Sequence, residues 1–164
     1  MSVLLGRTQA ALDQAGLQYK VLDCDPDLAD TAEFCAHYHF GLDQSANAIV
    51  VAGKGDPAKY ACCVVLATTK LDVNKAVCKQ LGVKRASFAS GEQTRELTGM
   101  EIGGVTPFGI PAGMPIFVDA AVLQQKEVVM GGGNRSSKVI LNPRELLQFP
   151  GVTVVENLGK SKEA

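Results

Sequence analysis

Ala48-Ile49-Val50-Val51-Ala52-Gly53-Lys54-Gly55-Asp56-Pro57-Ala58-Lys59-Tyr60-Ala61-Cys62-Cys63-Val64-Val65-Leu66-Ala67 sets two unbroken apolar runs on either side of a turn made of Gly, Lys, Asp and Pro. A strand with one wet face alternates apolar and polar residues, whereas a run without alternation is covered on both faces. The stretch therefore reads as a buried hairpin, Ala48–Ala52 against Tyr60–Ala67.

Outward from this hairpin the chain alternates helices and strands. On the N-terminal side, Ala10, Ala11 and Leu12 fall at helical spacing over about Arg7 to Ala15, with Gly16 as the stop, and Tyr19 to Leu22 reads as a strand. Asp30-Thr31-Ala32-Glu33 has capping-box spacing and opens a helix predicted to end near Gly41. On the C-terminal side, Asp72 caps a helix running to Leu81 and closed by Gly82, Ala86–Ala89 is a strand, and Ser90-Gly91-Glu92-Gln93 starts a helix that stops at Gly99. Strands follow at Pro115–Asp119, Glu127–Met130, Lys138–Leu141 and Val152–Val155, with Asn142-Pro143 opening a helix before the last. Hairpins mixed with helical crossovers predict one α/β domain, residues 1–158, built on a mixed, mostly antiparallel sheet with flanking helices. Residues 159–164, Gly159 to Ala164, read as a short flexible tail.

Sixteen Lys and Arg against 17 Asp and Glu give a net charge of −1, so no global basic field points to nucleic acid. No apolar run reaches the roughly 20 residues of a membrane span and no signal peptide is recognisable, which predicts a cytoplasmic protein without membrane contact. The five cysteines (Cys24, Cys35, Cys62, Cys63, Cys78) are expected to be reduced. Without a C-x-x-C pair, and with His37 and His39 two residues apart on a helix, no metal site and no cofactor is expected. A thiol nucleophile at Cys62 or Cys63 with His37 as base is disfavoured, because a thiol inside a Val/Leu run is ordinarily inert core.

Two glycine loops carry the functional signal. Gly99-Met100-Glu101-Ile102-Gly103-Gly104-Val105-Thr106-Pro107-Phe108-Gly109-Ile110-Pro111 stacks four glycines and two prolines between apolar segments, and Gly131-Gly132-Gly133-Asn134-Arg135-Ser136-Ser137 has the same character. Neither matches a phosphate loop or a dinucleotide turn. The two are read either as tight turns at strand ends or as a pair of stiff walls that read a small polar group through backbone N–H groups.

Leu71-Asp72-Val73-Asn74-Lys75, Thr98 through Gly109, Pro115-Ile116-Phe117-Val118-Asp119 and Gly131-Gly132-Gly133-Asn134-Arg135 occur in the order and approximate spacing of the YbaK/ProX family, which this chain resembles from about Leu12 to Val155. These are aminoacyl-tRNA deacylases related to the editing domain of bacterial prolyl-tRNA synthetases. The resemblance implies hydrolysis of the ester that joins a wrong amino acid to tRNA, with mischarged tRNA as partner and a tRNA synthetase as a further candidate. It implies that the loop Gly103, Gly104, Val105, Thr106, Pro107, Phe108 shapes the amino-acid pocket, with Gly104 as an oxyanion donor, and that Gly131, Gly132, Gly133 and Asn134 form the opposite wall. Thr31 and Phe34 are read at the pocket mouth, with core packing the alternative for Phe34. Asp119 is the acid to watch, with a cap on the following turn as the alternative. One departure stands out: Asn47-Ala48-Ile49 occupies the place of the family's Lys-Thr-Leu triplet. Asn47 can donate a hydrogen bond without a charge, so weaker stabilisation of the transition state is expected. Asn47→Lys is expected to raise turnover, and Lys54, Lys59 and Lys70 are candidates for a substitute ammonium. A non-catalytic module that binds aminoacyl-tRNA or a small ligand is the alternative reading.

Overall fold

The computed structural model describes residues 4–161. In chain order they form α1 (Gly6–Gln14), β1 (Lys20–Asp23), α2 (Thr31–Tyr38), β2 (Ala46–Gly53), β3 (Lys59–Leu66), β4 (Thr69–Leu71), α3 (Cys78–Leu81), β5 (Ala86–Phe88), α4 (Gly91–Thr98), β6 (Ile116–Asp119), β7 (Val128–Gly131), β8 (Ser137–Leu141), β9 (Val152–Val155) and β10 (Gly159–Ser161). The buried hairpin is present, β2 pairing antiparallel with β3 from Ala46–Leu66 to Gly53–Lys59.

Side-chain alternation along β3 explains its unbroken apolar run. Cys62, Val64 and Leu66 enter one core with Leu12, Phe108, Ile116 and Val118, while Ala61, Cys63 and Val65 enter a second core with Val51, Val77, Phe117 and Leu158. Each fully buried Val or Leu contributes about 1.5–3 kcal/mol relative to its exposure to water, so β3 anchors both layers at once. A third, smaller cluster holds Cys24, Ala29, Phe34, Cys35 and Val129 beneath α2.

Two of the seven strand pairings, β3 with β6 and β6 with β9, are parallel and the others antiparallel, giving a mixed α/β domain. The sheet is divided where a single one was expected: five strands in the order β5-β2-β3-β6-β9, three in the order β1-β8-β7, and the pair β10-β4. Among the described residues, a single parallel bridge between Ser45 and Val129 links the five-stranded and three-stranded sheets along their ladders. The two sheets therefore diverge beyond that point, and the gap between them becomes the cavity described below.

Other local departures have identifiable causes. Gly159–Ser161 is a strand, paired with β4 and tied by Lys160 Nζ to Asp72 Oδ2 at 3.3 Å, where a frayed tail was expected; residues 162–164 of that tail lie outside the described residues. The helix opened by Asp30 ends at Tyr38 with His39 in the left-handed conformation (φ 63°), before Gly41. The Asp30 side chain makes no cap bond to it; the carboxylate is engaged instead by Arg135 Nη1 at 3.1 Å. The helix capped by Asp72 begins as a π-helical turn, Val73–Val77, before α3. Ser90 and Gln93 form the expected reciprocal capping box, each bond 3.0 Å, and Gly99 closes α4 with φ 73°. The segment opened by Asn142 is a 3-10 helix, Pro143–Gln148. No helix among the described residues is long and apolar enough to cross a membrane.

Candidate active site

The two glycine loops meet through their backbones. Gly133 N–H donates to Gly104 O at 2.7 Å, Glu101 N–H donates to Gly133 O at 3.3 Å, and Gly104 N–H is taken by Glu101 O at 2.9 Å. A side chain at Gly104 would drive its Cβ into the Asn134 carbonyl, and one at Gly131 would meet the carbonyl oxygens of Gly104 and Val105 at 2.5 Å. Glycine is required here because one loop packs on the other. That corrects the expected role of Gly104: it is buried, its N–H is occupied, and it lies behind the wall of the site.

Its neighbours Gly103 and Val105 do line a cavity, of about 270 Å³, at the seam between the two sheets. Sites that enclose a drug-sized ligand run from roughly 300 to 1,000 Å³, so this one has the size of a small chemical group. β2 supplies the floor from Asn47 to Val50, α2 contributes Thr31, and Val129 to Gly131 close the far side. No described residue accepts a hydrogen bond from the amide of Gly103 or of Val105. Thr31 Oγ1 donates to Asn47 Oδ1 at 2.7 Å, so the Asn47 carboxamide is held by its oxygen and its nitrogen donors have no partner among the described residues.

Lys138 and Asp30 are the charged residues that line the cavity. Lys138 is 7% exposed. Its Nζ donates to Ala29 O at 2.7 Å and to Gly103 O at 2.8 Å, and it stands 5.2 Å from the centroid of the Phe34 ring. Burial pushes the pKa of this ammonium below the ordinary 10.5. Outside the cavity, Arg135 fastens the entrance: Nε donates to Pro26 O at 3.0 Å, and Nη1 to Ile102 O at 2.7 Å and to Asp30 Oδ1 at 3.1 Å.

Of the residues singled out from the sequence, Thr31, Asn47, Gly103, Val105 and Gly131 are brought together around this cavity. Others are not. Phe108 is fully buried, edge-on to Phe149 at 5.2 Å, and Phe34 packs in the cluster under α2. Thr106 and Pro107 are buried behind the loop, and the Thr106 hydroxyl has no partner among the described residues. Gly132 and Gly133 pack against α1 and its approach, through Leu4, Leu5 and Thr8. Asn134 Oδ1 accepts from Ser136 N and Ser137 Oγ, holding the turn. Asp119 is 2% exposed and its Oδ2 takes the Gly159 amide at 3.1 Å, which fixes β10 and not a ligand. Lys54, Lys59 and Lys70 lie elsewhere, Lys59 Nζ donating to Leu81 O at 3.4 Å. Lys138 was missed because a lysine beside a glycine turn reads as solvated. Its strand alternation with Ile140, opposite Val139 and Leu141, was the available signal.

The five cysteines are free and buried. Burial pushes the Cys62 thiol up to about 12 and raises Cys63 as well, so neither is a thiolate at neutral pH. Among the described residues no group of three or more His, Cys, Asp or Glu is placed to hold a metal ion.

Residues 25–149, a span that contains every residue lining the cavity, match the aminoacyl-tRNA editing domain. The chain belongs to that family. It is similar to the uncharacterized protein YwhH of Bacillus subtilis (strain 168), 32% identical over 108 residues, 66% of each chain. It is also similar to the multifunctional Ser/Thr-tRNA deacylase ProXp-y of Escherichia coli (strain K12), 27% identical over 109 residues, 66% of this chain and 65% of that one. The match thus spans just under two thirds of these relatives. A solved structure described as a candidate trans-editing enzyme for prolyl tRNA synthetase superposes with a TM-score of 0.80 at 27% identity, covering 94% of this chain and 95% of the other. The hypothetical protein APE2540 shares the fold, with a TM-score of 0.83 at 23% identity and coverage of 94% and 99%.

Proposed function

We propose that this editing domain is a deacylase that hydrolyses the ester of a mischarged aminoacyl-tRNA in the cytoplasm. The observation that supports the reading is the cavity: it lies wholly within the matched span, is small enough to suit an acyl group, and is lined by Gly103 and Val105, whose amides have no acceptor among the described residues. Water adds to the ester carbonyl, the oxyanion is taken up by the Gly103 and Val105 amides, and the C–O bond to the terminal ribose breaks as that oxygen regains a proton. Asp30 is the only carboxylate lining the cavity and is paired with Arg135, so the attacking water is ordered by the Asn47 carboxamide and by the substrate's own free hydroxyl or amine.

Asn47 favours one other reading, a module that binds aminoacyl-tRNA without turning it over, since an uncharged group stands where the resembled deacylases carry lysine. Deacylation of a panel of mischarged tRNAs decides between them. Release of one or a few amino acids at rates well above spontaneous hydrolysis supports the deacylase. Saturable binding with no release supports the module.

A further inference from the structure

The most costly feature of the cavity wall is an ammonium ion. Transferring a charged amine out of water is expensive unless it is paired, yet no carboxylate among the described residues hydrogen-bonds Lys138. It holds two main-chain carbonyls, Ala29 O and Gly103 O, and an aromatic face. An ammonium has three N–H donors, so one remains after those two bonds. The bond to Gly103 O places that charge beside the loop whose Gly103 and Val105 amides have no acceptor. The ammonium and the two loop residues thus belong to the lining of one cavity, a set of donors that suits an oxygen atom gaining negative charge.

We propose that Lys138 is a catalytic residue, its third N–H contacting the carbonyl oxygen of the scissile ester and stabilising the oxyanion that forms there. The proposal rests on the deacylase reading for its reaction, and on the geometry of the cavity for its ligand contact. It also moves to β8 the positive charge that Asn47 does not supply on β2. The titratable and charged groups that face Lys138 are Cys24 after β1, Asp30 and Cys35 at α2, and Arg135 beyond β7. Both thiols are raised by burial and neutral at physiological pH, and Asp30 is engaged by Arg135, so none of them neutralises the ammonium through a direct bond.

The test compares wild type with Lys138→Met, which keeps length and removes charge, by deacylation of mischarged tRNA across pH 6 to 10. A second measurement, on wild type alone, follows lysine 13Cε resonances by NMR during titration with a non-hydrolysable adenosine bearing an amide-linked 3′-aminoacyl group. The expected results are a fall in kcat of about 100-fold or more with KM within about threefold, an alkaline limb in wild type whose apparent pKa equals that of the Lys138 resonance, and loss of this limb in the variant. A lysine that only clamped Gly103 to Ala29 would not give that match. A variant with kcat within threefold of wild type, or with the same alkaline limb, overturns the proposal. Should wild type release no amino acid from any tRNA, the deacylase reading fails and the NMR arm still decides on Lys138. A ligand-induced shift of its resonance supports the contact, and an unshifted resonance at saturation overturns it. The same arm decides if Lys138→Met does not fold.

Discussion

Gly133 gives its backbone N–H to the carbonyl oxygen of Gly104 at 2.7 Å, so the two glycine loops support each other before any ligand arrives. Rigidity at Gly103 and Val105 is inherited from that bond. Gly104→Ala, whose Cβ would collide with the Asn134 carbonyl, is expected to lower stability by about 2–4 kcal/mol, a typical range for forced overpacking. Gly6→Ala, where the added Cβ meets open space at the start of α1, should change it by less than about 1 kcal/mol. Urea unfolding of both variants checks this; equal midpoints for Gly104→Ala and wild type would contradict the docking.

Asn47→Lys reads from the sequence as a gain and from the structure as a loss. The new ammonium would enter the cavity that already holds Lys138 and would break the Thr31–Asn47 bond. Repulsion between unit charges a cavity-width apart is on the order of 2 kcal/mol at an effective dielectric near 20. The expected outcome is a lower Tm and no rise in turnover, with part of the loss recovered in Asn47→Lys/Lys138→Met. A tenfold gain in kcat from the single substitution would refute this.

Asp119→Ala should act on stability and not on the reaction. It removes a buried carboxylate that accepts the Gly159 amide, a type of bond that contributes about 1.5–3 kcal/mol. Faster hydrogen exchange at Gly159 to Ser161, a lower Tm, and kcat and KM within twofold of wild type are expected. A selective loss of kcat with exchange unchanged would return Asp119 to the site.

Stability against pH separates Lys138 from the cysteines, because the two act with opposite sign. The folded pKa of Lys138 lies below 10.5, so between that value and 10.5 the unfolded chain binds the extra proton and stability rises with pH. Cys62 is raised from 9.0 to about 12, so above pH 9 the unfolded chain loses the proton first and stability falls until about 12. Wild type minus Lys138→Met cancels the thiols. That difference in unfolding free energy is expected to move in favour of wild type as pH approaches 10.5; a flat difference would mean the ammonium is solvated.

The hairpin was legible because an unbroken apolar run admits few arrangements, and the Ser90–Gln93 cap because its chemistry is local. β4 and β10 were not, since Thr69-Lys70-Leu71 and Gly159-Lys160-Ser161 are three residues each and carry a lysine at the centre and no apolar run. The glycines announced close approach without saying to what, and the answer was mostly to each other. Lys138 stayed hidden for a long-range reason: only α2 crossing its face of the three-stranded sheet, with Phe34 beneath, turns that lysine inward.

The seam bridged at Ser45 and Val129 separates inheritance of the fold from inheritance of substrate choice. Ala89 and Ile102 line the cavity and belong to none of the apolar clusters that hold the sheets. Exchanges at such positions reshape the cavity without a void or clash in either main core, where the same exchanges would cost several kcal/mol. On the deacylase reading, a lineage built on this scaffold can therefore drift from one acyl preference to another by single steps, each of them a folded protein.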